Sequence, residues 1–203
     1  MEWAQLNDEQ RDKLLEKYRD VNVDHEWWGG MYDDLKETML KRGFAVSDIQ
    51  FSGFWCQGDG ASFCGYVCDW KQFAEHYYKD QYPMLHKLLG DGYDYGHTIK
   101  LVRDRGLYCH EYMVSAELDL GSFEDYDGDE FIDSVSQVWN VALSMEVQEF
   151  EKDFQRTMRD EMRVLYCDLE KEYEYLTSDE CVSEWVENNI NIAEELEDLE
   201  LID

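Results

Sequence analysis

The chain has 203 residues, 44% apolar and 15% aromatic, which is enough for a packed core and excludes disorder over most of its length. It carries 48 acids against 18 bases, a formal net charge of −30, so it should repel DNA, RNA and anionic membranes and attract basic protein surfaces. No apolar run approaches the roughly 18 residues of a membrane helix, the polar start Met1-Glu2-Trp3-Ala4-Gln5-Leu6-Asn7-Asp8 does not read as a secretory signal, and six irregularly spaced cysteines read as a reduced, cytoplasmic protein.

Asn7 with Gln10 forms a capping-box pattern and predicts a first helix over about Asp8 to Arg19. A second is predicted from about His25 to Arg42, on the spacing of Trp28, Met31, Leu35 and Met39, with Gly43 at the C′ position. Two aromatic-rich runs, Ile49 to Trp55 and Ser62 to Val67, flank Gln57-Gly58-Asp59-Gly60 and predict a β-hairpin. Asp69 to Gln81 reads as a helix, and Pro83 opens a short one ending at Gly90. A second hairpin is expected, with strands near His97–Arg103 and Leu107–Leu118. Its second strand would place Tyr108, Tyr112, Val114, Ala116 and Leu118 on one face.

After Gly128 the chain has neither glycine nor proline. Phe131, Val135, Val138, Ala142 and Met145 keep a three-to-four rhythm. Phe150, Phe154, Met158, Met162, Leu165, Leu169, Tyr173 and Leu176 continue it. This predicts one very long helix, or two in tandem with a phase shift near Glu146–Glu149. Thr177-Ser178-Asp179-Glu180 resembles a fresh N-cap for a last helix carrying Val182, Trp185 and Val186 and ending near Asn188-Asn189. The tail from Ile190 keeps Ile192, Leu196 and Leu199 in helical phase, and can dock or fray. The fold class expected is α+β: a small antiparallel sheet of two β-hairpins packed with helices, plus a long C-terminal helical arm.

The charge is uneven. Residues 1–110 hold 19 acids and 13 bases, whereas 111–203 hold 29 acids and 5 bases. Glu117 to Asp133 carries eight acids and no base, and Asp168 to Asp203 fourteen acids and one base. The organisation read from this is an α+β core over 1–128 and an acidic helical region over 129–203.

Phe51-Ser52-Gly53-Phe54 followed by Gln57-Gly58-Asp59-Gly60-Ala61-Ser62-Phe63 resembles a motif in a group of uncharacterised phage and mobile-element proteins, some labelled antitoxin-like. Trp27-Trp28 and Tyr32-Asp33-Asp34-Leu35-Lys36 fit the same pattern, so the resemblance covers about residues 25–67. It implies a setting, a phage or mobile element acting on host machinery, and no chemistry. Cys56 stands where serine is expected, which argues that the position is not a required nucleophile.

The other constellations are weak. Gln57-Gly58-Asp59-Gly60 is acidic and joins two strands, so it reads as a hairpin turn with a structural Asp59 more readily than as a recognition loop. Cys56, Cys64, Cys68, Cys109 and His110 lack a C-x₂-C chelating pair, and buried thiols are the simpler reading. Asp125-Tyr126-Asp127-Gly128-Asp129-Glu130 lacks the glycine and twelfth-position carboxylate of a calcium loop. The five histidines assemble no triad. No metal, cofactor or enzymatic activity is expected.

The acidic blocks carry the functional signal, since a charge of −30 exceeds what solubility asks and self-repulsion works against folding. Residues 129–176 hold 13 acids and 5 bases, one net charge per roughly 9 Å of helix, against one per about 1.7 Å in duplex DNA. The helix alone is too dilute for DNA mimicry, and a partial mimic would need the flanking blocks to converge. The function expected is a phage-type acidic inhibitor that occludes a basic, nucleic-acid-handling host protein, such as a nuclease or CRISPR-type defence complex. Expected partner contacts are Glu124, Asp125, Asp127, Asp129, Glu170, Glu172, Glu174, Glu184 and Glu187, with Tyr173 and Trp185 as anchors. The alternatives are an antitoxin-like protein neutralising one toxin, or a small ligand-binding protein or enzyme centred on the Gly58–Gly60 hairpin. The long amphipathic helix also permits a homodimer.

Overall fold

The structure, a computed structural model, describes residues 2–90, 97–104, 106, 108–120, 133–199 and 201, with 133–140 described as helical backbone. Along the chain run α1 (Asp8–Tyr18), α2 (Gly29–Lys41), β1 (Phe44–Phe51), β2 (Ala61–Val67), α3 (Trp70–Tyr77), α4 (Pro83–Leu89), β3 (Thr98–Arg103), β4 (Val114–Asp119), α5 (Asp133–Leu176), α6 (Asp179–Asn189) and α7 (Ile192–Asp198). The fold is α+β with a long C-terminal helix. The chain divides into two compact units, Met1–Met31 with Asp168–Asp203, and Tyr32–Cys167. The boundary drawn from charge at 128/129 lies outside the described residues.

The larger unit is built on a four-stranded antiparallel sheet in the order β1-β2-β3-β4. Its core-facing residues include Phe44, Phe63, Val67, Ile99 and Leu101, each at most 3% exposed. Phe44 lies 6.0 Å from Phe63, 6.2 Å from Phe73 and 6.3 Å from Phe154, ring centre to ring centre. α5 supplies the other side of this core through Leu143, Phe150, Phe154, Met158, Met162 and Leu165, the four-and-three spacing of one helix face. Burying each large side chain contributes roughly 1.5–3 kcal/mol.

Local signals explain where elements begin and end. Asp69 caps α3 by accepting the Gln72 N–H at 3.0 Å. Pro83 opens α4 at N1. The Leu85 N–H of that helix donates to Glu146 Oε1 at 2.7 Å, so α5 satisfies a donor that Tyr82, an N-cap without a side-chain bond, leaves open. Gly43 takes φ +82°, and a Cβ there would fall 2.3 Å from the Asp69 carbonyl oxygen.

Five boundaries differ from the sequence reading. α2 begins at Gly29, four residues after His25. β1 begins at Phe44, before Ile49, and ends at Phe51. α3 stops at Tyr77, and the left-handed backbone of Lys79 and Tyr82 carries the chain into α4. β4 begins at Val114 rather than Leu107. Tyr108 and Tyr112 are 51% and 57% exposed, and a short 3₁₀ turn covers Glu111–Met113. Their period of two belongs to a ladder of rings ahead of the strand. On α5, Leu143 is buried while Met145 is 67% exposed, so the buried stripe runs out of phase with the spacing read from Ala142 and Met145. Phe131 lies outside the described residues, and only backbone is described at Val135 and Val138.

The smaller unit joins the two ends of the sequence. Leu6, Leu14 and Leu15 pack with Val182, Val186, Ile192 and Leu196. The Asn7–Gln10 capping box forms in both directions, at 2.9 and 3.1 Å. Ser178 Oγ accepts the Cys181 N–H at 3.2 Å and opens α6. Arg19 donates to Asp179 Oδ1 at 2.5 Å and to the Thr177 carbonyl at 2.9 Å. Lys17 pairs with Glu195. The C-terminal tail docks, with Ile192 4% and Leu196 0% exposed.

Candidate functional site

The motif segment forms the nine-residue connection from β1 to β2, whose ends close through Phe51 opposite Ala61 and a Ser52 N–H to Gly60 carbonyl bond of 3.2 Å. Asp59 folds it. Its Oδ2 accepts the N–H groups of Trp55 at 3.0 Å and Cys56 at 2.6 Å, while its own N–H donates to the Cys56 carbonyl at 3.0 Å. Gly53 and Gly58 take φ +108° and +95°, values favourable only to glycine. Phe54 packs on Phe51 at 5.0 Å and on Tyr166 of α5 at 5.5 Å, and the Tyr166 hydroxyl donates to the Gly53 carbonyl at 3.2 Å. Ser62 is wholly buried and accepts from Arg103 at 2.7 Å. Phe63 is in the core. Among the motif residues, Ser52 and Gln57 are exposed, together with neighbouring Trp55, which is 77% exposed, and Cys56.

The segment before β4 lies against this loop. A Cβ on Gly58 would meet the Tyr108 ring at 2.1 Å, and one on Gly60 would meet His110 Cα at 2.6 Å. Tyr108 stacks on His110 at 5.9 Å, and Tyr112 meets His110 edge-on at 5.9 Å. α5 holds the segment in place. Arg163 donates to Glu111 at 3.1 Å and to the Tyr112 hydroxyl at 3.0 Å, and Arg159 sits 4.9 Å from the Tyr112 ring centre. The result is a braced ledge of exposed rings, Tyr108 and Tyr112 flanking His110, while the exposed Trp55 ring on the loop meets Phe54 edge-on at 5.7 Å. All six cysteines are free thiols. Burial pushes the Cys64 and Cys68 thiols up, which works against nucleophilic use. Among the described residues no group of three His, Cys, Asp or Glu side chains is placed to hold a metal ion.

The smaller unit presents the carboxylates. Glu170, Glu174, Glu184 and Glu187 are exposed, and Glu172 is half-buried. Burial and then the carboxylates of Glu184, Glu172 and Glu180 push the Cys181 thiol up, so residues from α5 and α6 act on one point. Tyr173 lies 5.9 Å from the Trp27 ring and Trp185 5.6 Å from the Tyr18 ring, with Trp185 packed on the core. Glu124, Asp125, Asp127 and Asp129 lie outside the described residues. A groove of about 530 Å³ between α1 and α6 is lined by Trp3, Asp8, Arg11, Asp12, Asp179 and Glu180, among others. Sequence reasoning did not single out Asp8 and Asp12, although their i, i+4 spacing places them on one face of α1.

The described residues thus comprise an α+β unit with a braced aromatic loop and a second unit rich in exposed carboxylates. The chain belongs to the family described as a domain of unknown function, DUF8835, whose match runs over residues 27–179, three quarters of its length. The matched span contains the sheet, α2 to α4, the motif loop and α5. No curated protein and no solved structure matches the chain. Among the described residues no helix is long and apolar enough to cross a membrane.

Proposed function

We propose that the protein is a non-catalytic acidic inhibitor of phage type, which occludes a basic, nucleic-acid-handling protein such as a nuclease or CRISPR-type complex in the bacterial host cytoplasm. The observation that carries the reading is the density of carboxylate on the smaller unit. Met1–Met31 and Asp168–Asp203 hold 22 acids and 5 bases. Three of those bases, Lys17, Arg19 and Lys171, are paired within the unit. The surplus faces outward through Glu170, Glu174, Glu184 and Glu187, and the α1–α6 groove is lined by Asp8, Asp12, Asp179 and Glu180 with Trp3 and one base, Arg11. Carboxylates next to an aromatic wall suit a lysine or arginine side chain of a partner. Charge of this kind acts mainly on the association rate and is screened by salt.

The test is affinity capture from host lysate at 50 and 500 mM NaCl, with wild type and with Glu170→Gln, Glu174→Gln, Glu184→Gln and Glu187→Gln combined. A basic nucleic-acid-handling protein, lost at high salt and captured at least tenfold less by the variant, supports the reading. A single small protein held equally at both salts would instead mark an antitoxin. Undiminished capture by the variant overturns the electrostatic reading.

One observation favours a second reading, contact centred on the motif hairpin. The exposed rings of Trp55, on the motif loop, and of Tyr108 and Tyr112, on the segment ahead of β4, lie inside the family match, and exposed Trp and Tyr are the side chains that dominate binding hot spots. Under that reading Trp55→Ala abolishes capture, and the four amide substitutions leave it intact.

A further inference from the structure

We propose that the smaller unit is charge-gated: its two chain segments close fully only when their shared negative charge is screened, by salt or by a bound polycation. The inference goes beyond the partner reading, because sodium chloride alone tests it.

Both segments are negative in their own right. Residues 1–31 hold 8 acids and 4 bases, and residues 168–203 hold 14 acids and 1 base. The unit therefore carries one net charge for about every four residues, against about one in ten for Tyr32–Cys167, with its 26 acids and 13 bases. Among the described residues, the ion pairs that cross between the segments are Lys17–Glu195 and Arg19–Asp179. Arg19 and Asp179 are 39% and 73% exposed as side chains, so that pair is worth little, whereas Lys17–Glu195, 43% and 14% exposed, is partly buried. Closure rests chiefly on one apolar seam, in which Leu6, Leu14 and Leu15 meet Val182, Val186, Ile192 and Leu196.

Ionic strength acts on the two sides of this balance differently. The seam is insensitive to moderate salt. The repulsion reaches about 30 Å at 10 mM and about 8 Å at 150 mM. Lowering the salt therefore raises the population in which α1 has separated from α6 and α7, a sub-global opening of the kind that amide exchange reports. A polycation that binds the closed form shifts the same equilibrium by mass action.

The experiment is native-state hydrogen exchange on the full chain at fixed pH, in 10 and 300 mM NaCl. The amides of Val182 to Val186 in α6 report the smaller unit, and those of Phe63 to Val67 in β2 serve as the internal reference. Salt is expected to slow exchange in α6 at least tenfold and in β2 less than twofold. Pentalysine at 10 mM NaCl is expected to reproduce the slowing in α6. The variant combining Glu187→Gln, Glu197→Gln and Asp198→Asn is expected to exchange more slowly at low salt and to respond less to added salt. A flat response in α6, an equal response in both units, or an unchanged salt response in the variant overturns the proposal. Because no host partner enters the measurement, its result and that of the lysate capture are separately readable.

Discussion

The ring of Tyr108 occupies the space that a side chain on Gly58 would need: a Cβ there would lie 2.1 Å from Tyr108 Cδ1. Two residues fifty positions apart thus share one volume, and the positive φ of Gly58 brings the loop backbone up to the ring. Gly58→Ala meets both obstacles at once. The backbone strain alone costs on the order of 1–3 kcal/mol, and displacing Tyr108 adds to it. Thermal unfolding should show a clear loss of stability. Pairing the change with Tyr108→Ala should recover the steric part and leave the strain, which a double-mutant cycle measures.

Asp59 is expected to be a structural residue. It accepts the N–H groups of Trp55 and Cys56 in exposed hydrogen bonds, each worth about 0.5–1.5 kcal/mol net. Asp59→Ala should lower the melting temperature and speed proteolysis within 52–60. Asp59→Asn retains one acceptor oxygen and should lose less. A ligand-binding role would instead appear as lost binding at unchanged stability.

Glu146 is a polar residue placed towards a buried helix face, where it accepts the Leu85 N–H at 2.7 Å. Glu146→Leu would suit the apolar rhythm of α5 and still leave the α4 donor without its acceptor. It should destabilise by about 1–3 kcal/mol, whereas Glu146→Gln, which retains an acceptor oxygen, should destabilise less. Chemical denaturation of the three chains at equal pH checks the order.

Lys17, Tyr18 and Glu195 link stability to pH at both ends of the scale. The hydrogen bond from Lys17 holds the Glu195 carboxyl below its usual range against the opposing effect of burial. A carboxyl with a depressed folded-state pKa contributes stability above its unfolded value, near 4.3, and loses that contribution as pH falls through the folded one. Burial, followed by the Glu195 carboxylate, pushes the Tyr18 hydroxyl up to about 12. Its contribution is complete below the unfolded value of about 10 and disappears as pH rises from there towards 12. Glu195→Gln should flatten the acid limb of the stability profile and Tyr18→Phe the alkaline limb. Melting temperatures across pH 3–11 read both.

Much of the element plan was legible in the residues, because the signals involved are local. The Asn7–Gln10 box, Gly43, Pro83 and Ser178 act over three or four residues, and the rhythm from Phe150 to Leu165 repeats within one helix. The start of β4 was not legible, since alternation at Tyr108 and Tyr112 looks the same in a strand and in a ring ladder. The phase of α5 near Met145 also escaped. Apolar residues stand on both sides of the helix there, and only the packing selects Leu143.

By itself the sequence determined the charge, its concentration in the second half, the helix caps and the two hairpins, all properties of composition or of near neighbours. The tertiary structure alone decided that residues 1–31 close on residues 168–203. It also decided that Trp185 packs on a core, and that Gly58 lies against the Tyr108 ring and Gly60 against the His110 backbone. Those outcomes depend on contacts between side chains far apart along the chain, whose energies a local pattern does not encode.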